Sequence, residues 1–430
     1  MVYKGARGGS SWMVIVLLAL SFTTWFISFQ LHSPSPLEPF TRVESALGWG
    51  VRYSDIVYGV FYSVFQSGER WFNSTVFYEF TSGSLKYPLP YVHYRFEYPP
   101  VVGGFWALST NIALAATSSI GEAGYVHYVI TSIILLAFTI TSSLCLRDFL
   151  KEAGGEGYAL LYPLLPSMIF YLVYNWDIIA AGFALLGLYY LRRNRLFAGG
   201  VLLGLSFSSK LLTAGLAFYY LVKLYASRAG VRRLLEYTAG FTATGLLPFM
   251  LVAAASPEGL ASFIAHHSGW YCENCIYMAF TSDIRSPLHK LLYVAAGGLL
   301  FLTVGYMQLK HGAPSVKAEI EYFYLYLTIP IVFSYVFPPQ FLVMLTPMAL
   351  IVSSYYKRVG AAYLLAEVLN AALIIVFFKE LAAGGNPWIL HYNSSVSLTQ
   401  TIAMARNIIL LVVTIDVLVM LAGESRGCCK

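Results

Sequence analysis

Apolar runs long enough to cross a bilayer recur from one end of this chain to the other, separated by short polar connections. That pattern constrains the fold more than anything else in the sequence. A helix needs about 20 apolar residues to cross the hydrocarbon, where every backbone amide and carbonyl must be satisfied inside the protein. Only 11% of the 430 residues are charged while 58% are hydrophobic, too little polar surface to solvate a core of that size. We read one integral membrane domain over residues 1–430, all-α and polytopic, with no internal repeat and no low-complexity linker. The first run, residues 11–29, follows Lys4 and Arg7 as a signal peptide would. It is long for one and has no small-residue cleavage site, so it reads as an uncleaved first span.

The net charge of +6 is spread over small basic clusters between apolar runs, not along one stripe, which argues against nucleic acid and for orientation signals. Twelve spans are expected near residues 12–29, 125–146, 158–174, 177–191, 196–209, 211–225, 236–254, 288–308, 321–337, 340–356, 360–378 and 403–422. Twelve crossings put Lys4/Arg7, Arg147/Lys151, Arg192/Arg193/Arg195, Arg228/Arg232/Arg233, Lys310/Lys317, Lys357/Arg358 and Arg426/Lys430 on one side, the cytoplasmic one, with both termini. The long segment 31–100 then falls outside. The apolar run 101–121 would spoil this parity if it crossed, so it is expected to dip into or lie along the outer leaflet. Segment 31–124 is thus an external loop plus a non-crossing juxtamembrane piece, 125–225 the remainder of the core, and 226–430 the variable C-terminal helices. The sequons at Asn73 and Asn393 come out external.

External loops of about seventy residues usually carry function. This one contains YSDIVYGVFYSVFQSGERW, residues 53–71, in which Tyr58, Phe61, Tyr62 and Phe65 fall at helical spacing. An amphipathic helix on the membrane surface is expected, with Asp55 in its first turn, either as a site carboxylate or as a charge favoured by the helix start behind a Ser54 cap. The loop closes with HYRFEYPPV, residues 93–101. Its prolines stop helix, and Arg95, Glu97 and the tyrosines are expected at a headgroup-level cavity; an interfacial aromatic anchor with an Arg/Glu pair is the structural alternative. Asp177 in VYNWDIIAAG and Lys210 in GLSFSSKLL are expected at the same outer edge. Ionisable groups there are functional sites or partnered charges, and a lone lysine also snorkels.

Such a rim, with carboxylates, a few cations and aromatic walls, suits transfer of a sugar from a polyprenyl-phosphate donor whose tail lies in the bilayer. Lys210 or Arg95 would neutralise the lipid phosphate. Asp55 would take the proton from the attacking acceptor hydroxyl.

The order of motifs resembles the GT-C superfamily of membrane glycosyltransferases. A first span is followed by a long loop with an early acid (YSDI), EYPP before an apolar run, NWDIIAAGFALLGLYYLRRNRLFAGGVLLGLSFSSKLL, and FPPQFLVMLTPMAL. The chain is most similar to the polyprenyl-phosphate-mannose-dependent enzymes of glycosyltransferase family 87 and their archaeal relatives. The EYPP run is also similar to that of the lipid A aminoarabinose transferases. The resemblance, over roughly residues 10–350, implies a GT-C-like bundle, Asp55 as catalytic base, Asp177 as second external acid and Lys210 at the lipid phosphate; Glu97, from the loop residues themselves, is a further candidate for the second acid. The acceptor would be a glycan, lipid or protein hydroxyl. No DxD pair accompanies Asp55, so no cofactor is implied with certainty and a divalent metal stays an open question.

Cys272 and Cys275 beside His266 and His267 could ligate zinc, although an external compartment favours a disulfide. Cys428 and Cys429 offer tail acylation. Gly200 and Gly204 form a helix-contact GxxxG. A transporter or lipid flippase using Asp177 and Lys210, and a non-catalytic assembly subunit, are the competing classes.

Overall fold

The computed structural model describes residues 11–313, 315–392 and 395–427. The basic positions Lys4, Arg7 and Lys430, the Asn393 sequon, and Cys428 and Cys429 lie outside the described residues. The described residues are mostly helical, and among them there is one two-residue strand pair, His391–Tyr392 with Ser395–Val396.

Among the described residues, six helices are long and apolar enough to cross a membrane: Ser11–His32, Ile120–Glu152, Val231–Ala255, Pro287–His311, Lys357–Ala382 and Leu398–Glu424. They mark the chain as a membrane protein. Several keep large apolar side chains on the outside, such as Met250, Leu251, Leu299, Leu302, Val412 and Val419, as lipid contact requires. The expectation of twelve spans is corrected to these six. Runs 177–191, 196–209, 321–337 and 340–356 are instead the helices Asp177–Arg192, Leu196–Phe207, Val316–Val332 and Pro339–Tyr355. At 12 to 17 residues they reach only about 18–26 Å at 1.5 Å per residue, short of a hydrocarbon core of about 30 Å. Run 211–225 is likewise a short helix, Leu211–Ala226. Run 158–174 is broken into Glu156–Leu160, Leu161–Leu164 and Pro166–Tyr171, because Pro163 and Pro166 cannot continue a helix interior. Two of these helices are apolar for a different reason: other parts of the protein surround them. Val316–Val332 is buried at every position from Ile320 to Ile329, and Leu342–Tyr355 from Leu342 to Ser353. Hydropathy responds alike to burial in protein and in lipid.

The helix Pro100–Ala116 pairs antiparallel with the first half of Ile120–Glu152. Phe105 meets Phe138 and Trp106 meets His127, with ring centroids 6.0 and 4.5 Å apart, and Ser109 Oγ lies 3.0 Å from His127 Nδ1. Its start is fixed by the Val101 amide donating to the Ser208 carbonyl at 2.9 Å. The segment therefore doubles back within one half of the molecule and does not reach Arg147.

Arg147, at the far end of Ile120–Glu152, is one of several paired cations at that end. Arg147 pairs with Glu156 at 2.7 Å and Arg192 with Glu152 at 2.8 Å and Glu319 at 3.8 Å. Lys223 joins the same Glu319, and Lys317 pairs with Glu424. Three of the predicted basic clusters, represented by Arg147, Arg192 and Lys317, thus share one end of the bundle. Asp177 and Lys210, at the opposite ends of their helices, define the other.

Two further interactions hold the broken core helices. The Glu367 carboxylate accepts the free Ser167 amide at 2.8 Å, satisfying an orphan donor of the Pro166–Tyr171 helix. Fully buried Arg406 donates to the Asn407 and Asn370 side chains and to the Phe337 carbonyl, at 2.9, 2.6 and 2.7 Å. Gly200, Gly204 and Gly240 form the seam between Leu196–Phe207 and Val231–Ala255, making the GxxxG an intrachain contact. A Cβ at Gly200 would collide with the Tyr237 carbonyl, a backbone atom that cannot rotate away. Gly200→Ala is therefore expected to destabilise the protein by about 1–3 kcal/mol, read as a lower thermal midpoint in detergent. Gly104→Ala, where a Cβ has nothing within 4 Å, should show no loss.

Candidate functional site

After a turn at Tyr91–His93, residues 94–99 reach the bundle in extended form, so their side chains alternate. Tyr94, Phe96 and Tyr98 are buried, while His93 and Glu97 are partly exposed and Arg95 is exposed. This corrects the expectation that Arg95, Glu97 and the tyrosines share one face. Glu97 is paired with Arg70, not Arg95, and Arg70 also donates to the Gly59 carbonyl at 2.9 Å. Arg95 therefore stands outside the polar cluster.

Asp55 opens the helix Asp55–Phe65, whose first turns are wide: the amides of both Tyr58 and Gly59 approach the Ser54 carbonyl, at 3.0 and 3.1 Å. Such π-type turns recur at functional sites. The apolar face of this helix, Ile56, Val57, Val60, Phe61, Val64 and Phe65, is buried. Phe61 stacks on His127 at 5.1 Å and Phe65 packs on Tyr94 at 5.6 Å. The helix is therefore seated in protein and does not lie on the membrane with that face. The Ser54 hydroxyl does not cap it; the Asp55 amide instead donates to the Tyr174 carbonyl at 3.0 Å.

That bond places Asp55 beside the turn before Asp177–Arg192. Asn175 turns its amide oxygen to the Trp176 amide, which directs its NH2 group to Asp55 Oδ2 at 2.9 Å. The Tyr98 hydroxyl donates to the same oxygen at 2.9 Å. Tyr53 bonds the carboxylate as well. Asp55 keeps part of its surface open but lies deep among these neighbours. Burial, reinforced by the nearby Glu97 charge, raises its pKa to about 7 from an ordinary 3.8, against the opposing hydrogen bonds from Tyr98 and Tyr53.

Two residues beyond Asn175, Asp177 Oδ1 pairs with Lys210 Nζ at 2.7 Å. Asp177 is only 3% exposed. Lys210 sits at the tip between Leu196–Phe207 and Leu211–Ala226. Its ammonium lies 4.1 Å from the Phe341 ring centroid and 6.0 Å from that of Tyr98, close enough for cation–π attraction. Tyr98 therefore bridges the site, with its hydroxyl on Asp55 and its ring near Lys210. Its ring also packs on Trp176 at 4.6 Å. Asp55, Asp177 and Lys210 are thus brought together, with Glu97 close enough for its charge to act on Asp55.

Tyr98 and Asn175 lie inside motifs visible in the sequence but were not singled out there. Asn175 stands in NWD, two residues before a recognised acid. Glu273, between the two cysteines, was overshadowed by them. It accepts from Trp270 Nε1 at 2.8 Å, and its pKa is raised by burial against the pull of that bond and of Lys210.

The zinc expectation for His266, His267, Cys272 and Cys275 is corrected. The cysteines are joined in a disulfide, which removes both thiolates as ligands. His266 stacks on Trp270 at 4.4 Å and His267 Nδ1 donates to the Phe263 carbonyl at 2.9 Å. Burial, with Arg70 adding to it, lowers the His266 pKa to about 4, so it is neutral at pH 7.

No protein-family model matches the chain, and no curated protein matches it either.

Two outcomes follow from the geometry. Lys210→Met leaves Asp177 buried without its partner, and Asp177→Asn does the reverse; each single change is expected to cost about 3–5 kcal/mol, with the double variant losing less than their sum. Thermal midpoints in detergent read that cycle. Because Asp55 titrates near 7 folded and near 3.8 unfolded, the folded chain binds the extra proton between those values. Its contribution to stability therefore falls as pH rises through that window. The protonated-carboxyl infrared absorption should lose one component as pH rises through about 7, and that component should be missing in Asp55→Asn.

Proposed function

We propose that the chain is a membrane glycosyltransferase that moves a sugar from a polyprenyl-phosphate donor to an acceptor hydroxyl, with Asp55 as general base. The observation that carries this reading is the pair of chemically opposite groups flanking Tyr98. One is a carboxylate whose pKa is raised to about 7, and the other is an ammonium held by Asp177 at 2.7 Å.

A general base works best with a pKa near the operating pH. In the proposed reaction the acceptor oxygen attacks the anomeric carbon while its proton passes to Asp55. The bond from that carbon to the phosphate oxygen breaks, and its electron pair leaves on the lipid phosphate. Lys210 has three N–H donors, one of them directed to Asp177, so donors remain for the departing phosphate. Asn175 and Tyr98 hold Asp55 Oδ2, and Tyr53 also bonds the carboxylate, so the three fix the direction of the group that takes the proton. Asp177 acts by positioning Lys210, and Glu97 by raising the Asp55 pKa. The exposed Arg95 supports no more than an outer electrostatic contact with the donor.

The end bearing Asp55 and Lys210 would face outward, since the Arg147, Arg192 and Lys317 clusters at the other end suit the cytoplasmic side. The termini would then be cytoplasmic. The tail of the donor would lie along the lipid-facing helices and supply binding energy, with the base and cation acting on the transition state. A divalent metal is not needed for any of these steps.

Purified protein incubated with a panel of polyprenyl-phosphate sugars and candidate acceptors should release lipid phosphate in an acceptor-dependent manner. Asp55→Asn is expected to lower turnover about 100- to 10,000-fold with donor binding retained. Wild-type turnover should climb with pH and level off above about 7. A transporter or flippase would leave the donor chemically intact and would scarcely respond to Asp55→Asn, which would overturn the assignment.

A further inference from the structure

The disulfide loop lies against a buried histidine that nothing in the proposed reaction uses. Cys272, Cys275 and His289 are 1%, 2% and 1% exposed. Both sulfurs and a ring nitrogen of His289 lie within 4.8 Å of one another. Neither Nδ1 nor Nε2 of His289 has a hydrogen-bond partner among the described residues. A neutral imidazole always carries one N–H and one lone pair, and burying both unbonded is unfavourable enough to need a reason. A sulfur pair within 4.8 Å offers one, because imidazole and two thiolates are the donor set of a zinc-type cation.

We propose that Cys272, Cys275 and His289 form a binding site for a zinc-type divalent cation, closed while the sulfurs are bonded to each other and opened by reduction. The chemistry balances with a dithiol reductant. Two electrons and two protons pass to the disulfide, the S–S bond breaks, Cys272 and Cys275 become thiols, and the reductant leaves as its own disulfide. Metal entry then releases both thiol protons to solvent, while His289 donates a ring lone pair and a water completes a tetrahedron. Tetrahedral zinc with bonds of about 2.0–2.3 Å brings such ligands to roughly 3.5–3.8 Å of each other, so the sulfurs, bonded to each other in the oxidised chain, must part on reduction while the His289 ring, already within 4.8 Å of both, stays at hand. The His266/His267 pair is engaged elsewhere and is not part of this set. Occupancy would also reach the proposed site. Glu273 lies between the two cysteines, and its backbone bonds the Tyr335 carbonyl at 3.0 Å and the Phe337 amide at 2.8 Å.

This inference does not rest on the glycosyltransferase reading, because its readout is metal bound and not sugar transferred. The test uses the full chain carrying Cys428→Ser and Cys429→Ser, so that tail thiols do not contribute. After phosphine reduction and anaerobic desalting in detergent, it is titrated with Co2+ and then Zn2+. The expected result is one Co2+ per chain, a sulfur-to-cobalt charge-transfer band displaced by Zn2+, and no band in the oxidised protein. Cys272→Ser should abolish the band, and His289→Gln should weaken Zn2+ binding at least tenfold. The proposal is overturned if the reduced chain takes up no stoichiometric metal, if the oxidised chain binds equally well, or if His289→Gln binds unchanged. Should that variant not fold, zinc X-ray absorption on the chain with His289 intact decides instead. Two sulfurs with an imidazole support the site, and a shell lacking either overturns it.

Discussion

A helix that stops inside an apolar body leaves four amides or four carbonyls without partners at that end, and this constraint organises the molecule. The core helices here are too short to cross, so their ends must be satisfied by protein. The Pro166–Tyr171 helix takes the Glu367 carboxylate at Ser167. Pro100–Ala116 begins where Val101 donates to the last turn beyond Leu196–Phe207. The amide of Asp55 is taken by Tyr174, just before Asp177–Arg192. Satisfying these ends draws four separate segments to one place, and the polar side chains near them come along. The candidate site is in this sense a by-product of helix termination turned to chemical use.

Bringing acids into such a place is unfavourable unless each is partnered. Asp177 has Lys210 and Glu97 has Arg70, and both remain ion pairs. Asp55 has only neutral donors, Tyr98, Asn175 and Tyr53, so its charge is uncompensated and its pKa rises. Two carboxylates on either side of one turn thus acquire different chemical character from their partners alone. That division lets one act as a proton acceptor while the other anchors a cation. At the opposite end of the bundle the acids instead interleave with arginines and lysines in a network that includes Arg192, Glu152 and Glu319, which suits a structural and orienting role.

Much of this was legible beforehand. The six long spans coincide with apolar runs, because a lipid-exposed helix must be apolar along its whole length. Asp55, Asp177 and Lys210 stood out as ionisable residues beside apolar runs, where they are expensive to place without purpose. The number of spans was not legible, since Val316–Val332 is as apolar as a crossing helix while being enclosed by protein. The Arg70–Glu97 pairing was hidden as well. Arg95 and Glu97 fall on the same side of an extended segment, opposite Tyr94 and Phe96, yet the partner that folding brings to Glu97 is Arg70, 27 positions away.

By itself the sequence determined that the chain is helical, belongs in a membrane and places its scarce charges beside apolar runs, because hydropathy and periodicity are local properties written residue by residue. Only the tertiary structure decided which helices stop short, that Tyr98 and Asn175 meet Asp55, and that His289 lies beside the Cys272–Cys275 loop. These depend on contacts between residues tens to more than a hundred positions apart, and no local pattern encodes such a distance.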